Sequence, residues 1–140
     1  MIRKLENKDV DIVMNIWLET TIKAHDFISK EYWESNYDMV KEVYIPAADS
    51  FIYEEKGNIK GFISVIDKEF IGALFVDKKY QGCSIGSKLI RYVDSIYNGL
   101  TLSVYKDNSR AVNFYKNIGF DIVEEKINED TDCIEYYMKK

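Results

Sequence analysis

Cysteine is scarce in this chain: Cys83 and Cys133 are the only two in 140 residues. Two cysteines form no disulfide framework, and their spacing suits no metal site. A reducing cytoplasm is the simple expectation. Long apolar runs are missing too. No segment approaches the roughly 18 apolar residues of a membrane span, and the N-terminal MIRKLENKDV has no apolar signal region. A soluble, cytoplasmic protein that does not engage a membrane is expected. Basic residues are outnumbered, 19 against 24 acids, for a net charge of −5. That balance argues against a general nucleic-acid binder. Histidine occurs once, at His25, and proline once, at Pro46. There is no internal repeat, linker or low-complexity tract.

What is present reads as one domain covering residues 1–140. Hydrophobic residues at 46% and charged residues at 31% are ordinary globular values. A chain of this size buries enough surface for a real core. Ile2–Glu6 alternates and predicts a first strand. Asn7 is positioned to cap a helix in which Val10, Val13, Met14, Trp17, Thr21 and Ala24 recur at helical spacing. His25-Asp26-Phe27-Ile28 interrupts the pattern. Ser29 caps a second helix, which Pro46 is expected to end by withholding its N–H. The middle predicts a strand meander with a hairpin turn at Lys56-Gly57-Asn58. A helix follows to a C-cap at Asn98-Gly99, then a strand over Leu100–Val104. A last helix is capped by Asn108 or Ser109 and closed by Gly119, and a terminal hairpin finishes the chain. The strand-helix-strand unit at 70–104 requires one parallel pair in a mostly antiparallel sheet.

The informative stretch is Ala73–Tyr92. An apolar strand, Ala73-Leu74-Phe75-Val76, turns through Gln81-Gly82-Cys83-Ser84-Ile85-Gly86 into a helix. That order points free backbone N–H groups at whatever sits above the helix N-terminus, which suits a phosphate. Glycine also occurs in such turns for steric reasons alone. Two nucleotide motifs are excluded. Three residues separate Gly82 from Gly86 where a P-loop has four, and the dinucleotide fingerprint's glycine spacing is absent. Charge is uneven around the stretch. Residues 78–116 carry seven Lys/Arg against Asp94 and Asp107, a local +5, which leaves −10 elsewhere. That contrast fits a polyanionic cofactor on one part and a cationic or neutral acceptor near the other.

A second stretch narrows the reading: Asn108-x-x-Ala111-x-x-Phe114-Tyr115-x-x-x-Gly119-Phe120. With Gln81-x-x-Ser84-x-Gly86 after an apolar strand, it resembles the GNAT superfamily of acyl-CoA N-acyltransferases, in particular its small stand-alone bacterial members. The second signature matches at every named position. The first carries Ser84 where the family usually has glycine. The resemblance implies an α+β, three-layer fold with a six- to seven-stranded, mostly antiparallel sheet. One parallel pair would splay around the cofactor, and about four helices would flank the sheet. It also implies acetyl-CoA or CoA as co-substrate and no metal. Leu74, Phe75 and Val76 would pair with pantetheine amides. The N–H groups of Gly82, Cys83, Ser84, Ile85, Gly86 and Ser87 would cradle the pyrophosphate, with Gln81, Asn108, Ala111 and Tyr115 completing the cofactor side. A positive φ at Ser84 would cost about 1 kcal/mol.

Acyl transfer to an amine needs a held thioester, a neutral amine and a proton for the leaving thiolate. The resemblance assigns that proton to Tyr115. For the base the candidates are His25, Glu69 acting through water, and ordered water alone. His25 and Phe27 also stand as acceptor-side residues. The expected function is N-acetyl transfer from acetyl-CoA to a primary amine by direct attack on the thioester. The alternative is a non-catalytic acyl-CoA sensor on the same fold. The expected partner is a small-molecule amine, with the protein a monomer or homodimer.

Overall fold

The computed structural model describes residues 1–140, and its frame is a seven-stranded sheet in the order β1-β2-β3-β4-β5-β7-β6. The strands are β1 (Ile2–Lys4), β2 (Asp49–Glu55), β3 (Asn58–Ile66), β4 (Phe70–Val76), β5 (Thr101–Tyr105), β6 (Asp121–Ile127) and β7 (Ile134–Lys139). Every pairing is antiparallel except β4 with β5. Helix α1 (Val10–Ala24) and α2 (Lys30–Ser35) cover one face, and α3 (Ile85–Ile96) and α4 (Ser109–Ile118) cover the other. The mixed α+β architecture and the single parallel pair are those expected from sequence. No helix is long and apolar enough to cross a membrane.

Two bulges decide which side chains reach which face. In β3, Tyr53 pairs with Gly61 and Glu54 with Ile59, so Lys60 is the extra residue. Ile59 and Phe62, three apart, therefore both pack toward α1 with Val13, Met14 and Trp17. In β4, Ser64 pairs with Ala73 and Val65 with Ile71, which leaves Gly72 extra. Ile71 and Leu74 consequently share the α3 face, while Ala73 and Phe75 turn to the α1 face. The α3-side core holds fifteen buried residues, among them Ile63, Val65, Leu89, Val93, Leu102, Phe120 and Met138. The α1-side core holds eight.

Three sequence expectations are corrected. Asn7 is not the cap of α1. It opens a 3-10 turn, Asn7–Asp9, whose capping box joins Glu6 and Asp9, with the Glu6 N–H donating to Asp9 Oδ2 at 2.8 Å. Pro46 does not end the second helical segment. Ser29 does cap α2, but the path then runs irregularly through Tyr37–Met39, a π-helix at Val40–Tyr44 and a last turn at Ile45–Ala47. Proline is tolerated in the first turn of that last piece, where its missing N–H costs nothing. Finally, α3 stops at Ile96, before Asn98-Gly99: Tyr97 is extended and its hydroxyl donates to Asp49 Oδ2 at 3.0 Å.

Arg3 ties the first strand to α1 and β2. Its guanidinium donates to both oxygens of Asp9 at 2.8 and 3.0 Å and to Glu54 at 3.2 Å. Asp9 is almost wholly buried, and the hydrogen bonds from Arg3 hold its carboxyl below the ordinary value of 3.8. A carboxyl depressed on folding stabilises the fold above its unfolded value, and that contribution fades as pH falls further. Asp9→Asn is expected to destabilise the protein by about 1–3 kcal/mol at neutral pH, read by urea unfolding. The gap between variant and parent should narrow below about pH 4. A gap that stayed constant down to pH 3 would remove the charge from the explanation.

Candidate active site

The site starts where β4 and β5 part. The two strands pair only at Phe70–Thr101 and Ile71–Leu102. From the Gly72 bulge onward β4 stays paired with β3, yet its β5 side is open. The stretch Leu74–Val76 thus has no strand partner on its β5 side, and its free backbone groups there are a template that an extended amide chain completes. Gly61 lets β3 approach this strand closely, since a Cβ there would lie 2.9 Å from the Phe75 carbonyl oxygen.

Beyond Val76 the chain passes a 3-10 turn at Lys78–Tyr80 and enters the glycine-bearing loop. Gln81 fixes the loop's start by donating from its side-chain amide to the Val76 carbonyl at 3.1 Å. From Gly82 to Ser87 no backbone N–H donates to a protein acceptor. Those groups include the first turn of α3, where N–H groups have no intrahelical partner and the dipole favours negative charge. Ser84 is the N-cap of α3 with φ 65°, in the left-handed region. The serine therefore sits in the conformation for which glycine is best suited, at a cost of about 1 kcal/mol. Its side chain makes no capping hydrogen bond. Gly86 lies directly against Phe114, whose Cζ would be 3.2 Å from an added Cβ. That contact seats the loop on α4.

Helix α4 is anchored at both ends by residues of its motif. Asn108 Oδ1 accepts from the Ala111 N–H at 3.3 Å, and Gly119, at φ 116°, closes the C-terminus. The Phe120 N–H then donates to the Tyr115 carbonyl at 3.0 Å. Tyr115 is packed between Phe114 and Phe120, at ring distances of 5.3 and 5.7 Å. Burial pushes its phenol well above the usual range, so the hydroxyl stays protonated through neutral pH.

His25 lies at the end of α1 and is buried among Phe27, Trp33 and Tyr105, with ring distances of 5.8, 5.1 and 5.2 Å. Its Nδ1 is 2.8 Å from the Thr21 carbonyl, which only accepts, so Nδ1 carries the proton. Nε2 is left as an acceptor and faces Asn108 Nδ2 at 3.4 Å. Burial lowers the pKa of the ring, with the Thr21 contact opposing that shift. Both nitrogens are therefore engaged inside the protein, an arrangement that suits holding Asn108 better than accepting a proton from an amine. Glu69 is exposed in the β3–β4 turn, three residues or roughly 10 Å along the chain from the Gly72 bulge.

Sequence reading missed a cavity of about 200 Å³ on the α1 face. It lies between the irregular helical segment and the strands at Ser64, Gly72 and Ala73. Trp17, Tyr32, Trp33, Tyr44, Phe62 and Phe70 supply its aromatic walls. No acidic side chain lines it. Glu31, Glu34, Asp38 and Glu42 are all exposed on the outer face of the same segment, because helical spacing sends their aromatic neighbours inward.

With the geometry in place, comparison with known proteins is decisive. Residues 19–139 match the family model described as an acetyltransferase (GNAT) domain. This chain belongs to the GNAT acetyltransferase family. It is 33% identical over 138 residues to the peptidyl-lysine N-acetyltransferase YiaC of Escherichia coli K12, covering 99% of this chain and 94% of that protein. It is 30% identical to the peptidyl-lysine N-acetyltransferase YjaB of the same organism, covering 86% and 82%. The solution structure of apo YjaB from Escherichia coli superposes with a TM-score of 0.86 at 26% identity, covering 99% of this chain and 95% of that one. A Thermoplasma acidophilum N-acetyltransferase solved with coenzyme A shares the fold, with a TM-score of 0.83 at 21% identity and coverage of 100% and 97%. The activity of this GNAT protein is N-acetyl transfer.

Ser84→Gly removes a left-handed residue that carries a Cβ. Coenzyme A binding, read by calorimetry, is expected to be equal to or tighter than that of the parent, because the loop keeps its N–H groups and loses strain. A Kd raised by about fivefold or more would reveal a contact from the serine side chain.

Proposed function

We propose that the protein transfers the acetyl group of acetyl-CoA to a small primary amine by direct attack on the thioester. The observation that carries this reading is one continuous backbone surface. The open edge of Leu74–Val76 leads into the unpartnered N–H groups of Gly82–Ser87, with α4 and Tyr115 alongside. A pantetheine chain fits the strand edge and a pyrophosphate fits the N–H cradle, within the basic window of residues 78–116. Acetyl-CoA supplies the activated thioester, and the chain's own residues hold it and manage protons.

Tyr115 is the residue proposed to serve the leaving sulfur. A thiol has a pKa near ~8.5 and a free phenol near ~10, and burial raises this phenol further. Outright donation to the thiolate therefore runs uphill. The proton that the amine releases makes up the deficit: the phenol hydrogen-bonds the developing thiolate and passes a proton on as it regains one through water. Tyr115→Phe is expected to lower kcat by ~10²–10⁴ with coenzyme A affinity little changed. A variant with the parent's kcat would return this hydroxyl to a packing role.

On the amine side, water is the proposed proton acceptor, and His25 is a positioning residue acting through Asn108. The reading rests on the contact of Nε2 with Asn108. Gln at position 25 keeps an acceptor that reaches the amide but has no basic nitrogen. His25→Gln is expected to retain activity within about tenfold of the parent with an unshifted pH profile, and His25→Ala to lose more. Equal losses in both variants that recover at high pH, where the amine deprotonates unaided, would make His25 the base instead.

A second reading is favoured by the relatives. Peptidyl-lysine is named as the acceptor of YiaC and YjaB, and a lysine side chain is itself a primary amine. Mass-spectrometric screening of acetyl-CoA with a panel of small amines and lysine peptides decides between the two. Absence of any acetylated product across the panel would sink both.

A further inference from the structure

The cavity on the α1 face abuts the point where the acetyl group would be delivered. Its strand wall is Ser64, Gly72 and Ala73, and Gly72 is the bulge at which β4 loses its β5 partner. Tyr115 packs with the opposite, α3-side core. An amine leaving this cavity therefore enters the strand gap from one face, while the proposed leaving-group residue lies on the other.

No Asp, Glu, Lys, Arg or His lines the cavity, and twelve of its fifteen lining residues are hydrophobic. An apolar wall of this kind penalises a second charge on the ligand, whether positive or negative, because nothing repays its desolvation. A single ammonium is tolerated at the mouth, where water and the aromatic faces of the wall are available. The volume of about 200 Å³ exceeds the ~150 Å³ in which an apolar protein cavity holds benzene.

We propose that the acceptor of this enzyme is a primary arylalkylamine, held with its ring in the cavity and its amine end toward Gly72 and Ala73. The proposal rests on the acetyl-transfer reading above for its reaction, and on the cavity alone for its ligand. The aromatic ring fills the apolar volume, and the single ammonium stays at the mouth until it loses its proton. Polyamines and dicarboxylic amino acids are disfavoured by the uncharged wall.

The chain's only two tryptophans, Trp17 and Trp33, both line this cavity, so its occupancy has an optical readout that does not depend on turnover. Phenethylamine, tyramine, spermidine and ethanolamine are titrated against the full chain saturated with coenzyme A, with tryptophan fluorescence followed. The same amines and a lysine peptide are then assayed with acetyl-CoA. The expected result is a saturable fluorescence change with both aryl amines and none with spermidine or ethanolamine. In the assay kcat/KM for the aryl amines should exceed that of the other amines and the peptide by about tenfold or more. Ala48→Leu, which adds volume at a half-buried lining position, is expected to weaken aryl-amine binding by about tenfold while the thermal shift on adding coenzyme A persists. No saturable change with either aryl amine, or a preference for spermidine or the lysine peptide, overturns the proposal. Saturable aryl-amine binding without acetylated product would uphold the cavity's ligand class and overturn the acetyl-transfer reading instead.

Discussion

The parting of β4 from β5 is the constraint on which the rest of this structure depends. Two residue pairs hold the strands together, enough to close the sheet into one frame. A longer ladder would fill the edge that the site needs open. Leaving that edge unpaired leaves backbone hydrogen-bonding groups without protein partners, a cost that folding alone does not recover. The structure keeps the edge rigid by other means. Strand β4 is paired with β3 on its far side at every residue but Gly72, and β5 is fully paired with β7. Both flanks of the gap are thus fixed while the gap itself stays available.

The bulge at Gly72 belongs to the same design. One extra residue rotates the strand's alternation, so that Ala73 and Phe75 serve the α1 core while Leu74 and Val76 serve the α3 core. It also lies at the transition from paired to open edge and at the wall of the aromatic cavity. One wall of the cavity, the strand edge and the N–H groups of the loop are therefore set by a single stretch of eighteen residues, from Phe70 to Ser87.

The two helical faces do different work. On one side α3 and α4 hold the loop by Gly86 against Phe114 and by the two ends of α4. On the other side α1 and the irregular segment after it build an aromatic enclosure without an ionisable lining other than tyrosine. His25 joins the two. It closes α1, packs on Trp33 and Tyr105, and its Nε2 meets the cap of α4. Burial keeps it neutral, consistent with a residue that links elements by hydrogen bonds.

Local sequence determined a large part of this protein. The strand-loop-helix from Ala73 to Tyr92 was legible because apolar alternation, a glycine-bearing turn and helical spacing are each short-range signals. So were the Asn108 cap and the Gly119 stop. With Gln81 and Gly86 they carry the resemblance to the family, and the family's usual glycine at position 84 raised the question of the positive φ that Ser84 adopts. What the sequence did not reveal depends on contacts between distant residues. Asn7 loses the capping role to Glu6 and Asp9 because Arg3, from the first strand, fixes Asp9. Pro46 is accommodated in the first turn of the last helical piece, which begins only after the π-helix at Val40–Tyr44. The acidic balance outside residues 78–116 fitted a cationic or neutral acceptor near that part, yet net charge carries no information about which face a side chain takes. The aromatic cavity exists only after Trp17, Trp33 and Tyr44 from the helical side meet Phe62 and Phe70 from the sheet. Which of twenty aromatics does so is decided by tertiary packing, since burial of an apolar ring is non-directional and only the assembled fold says where it is satisfied.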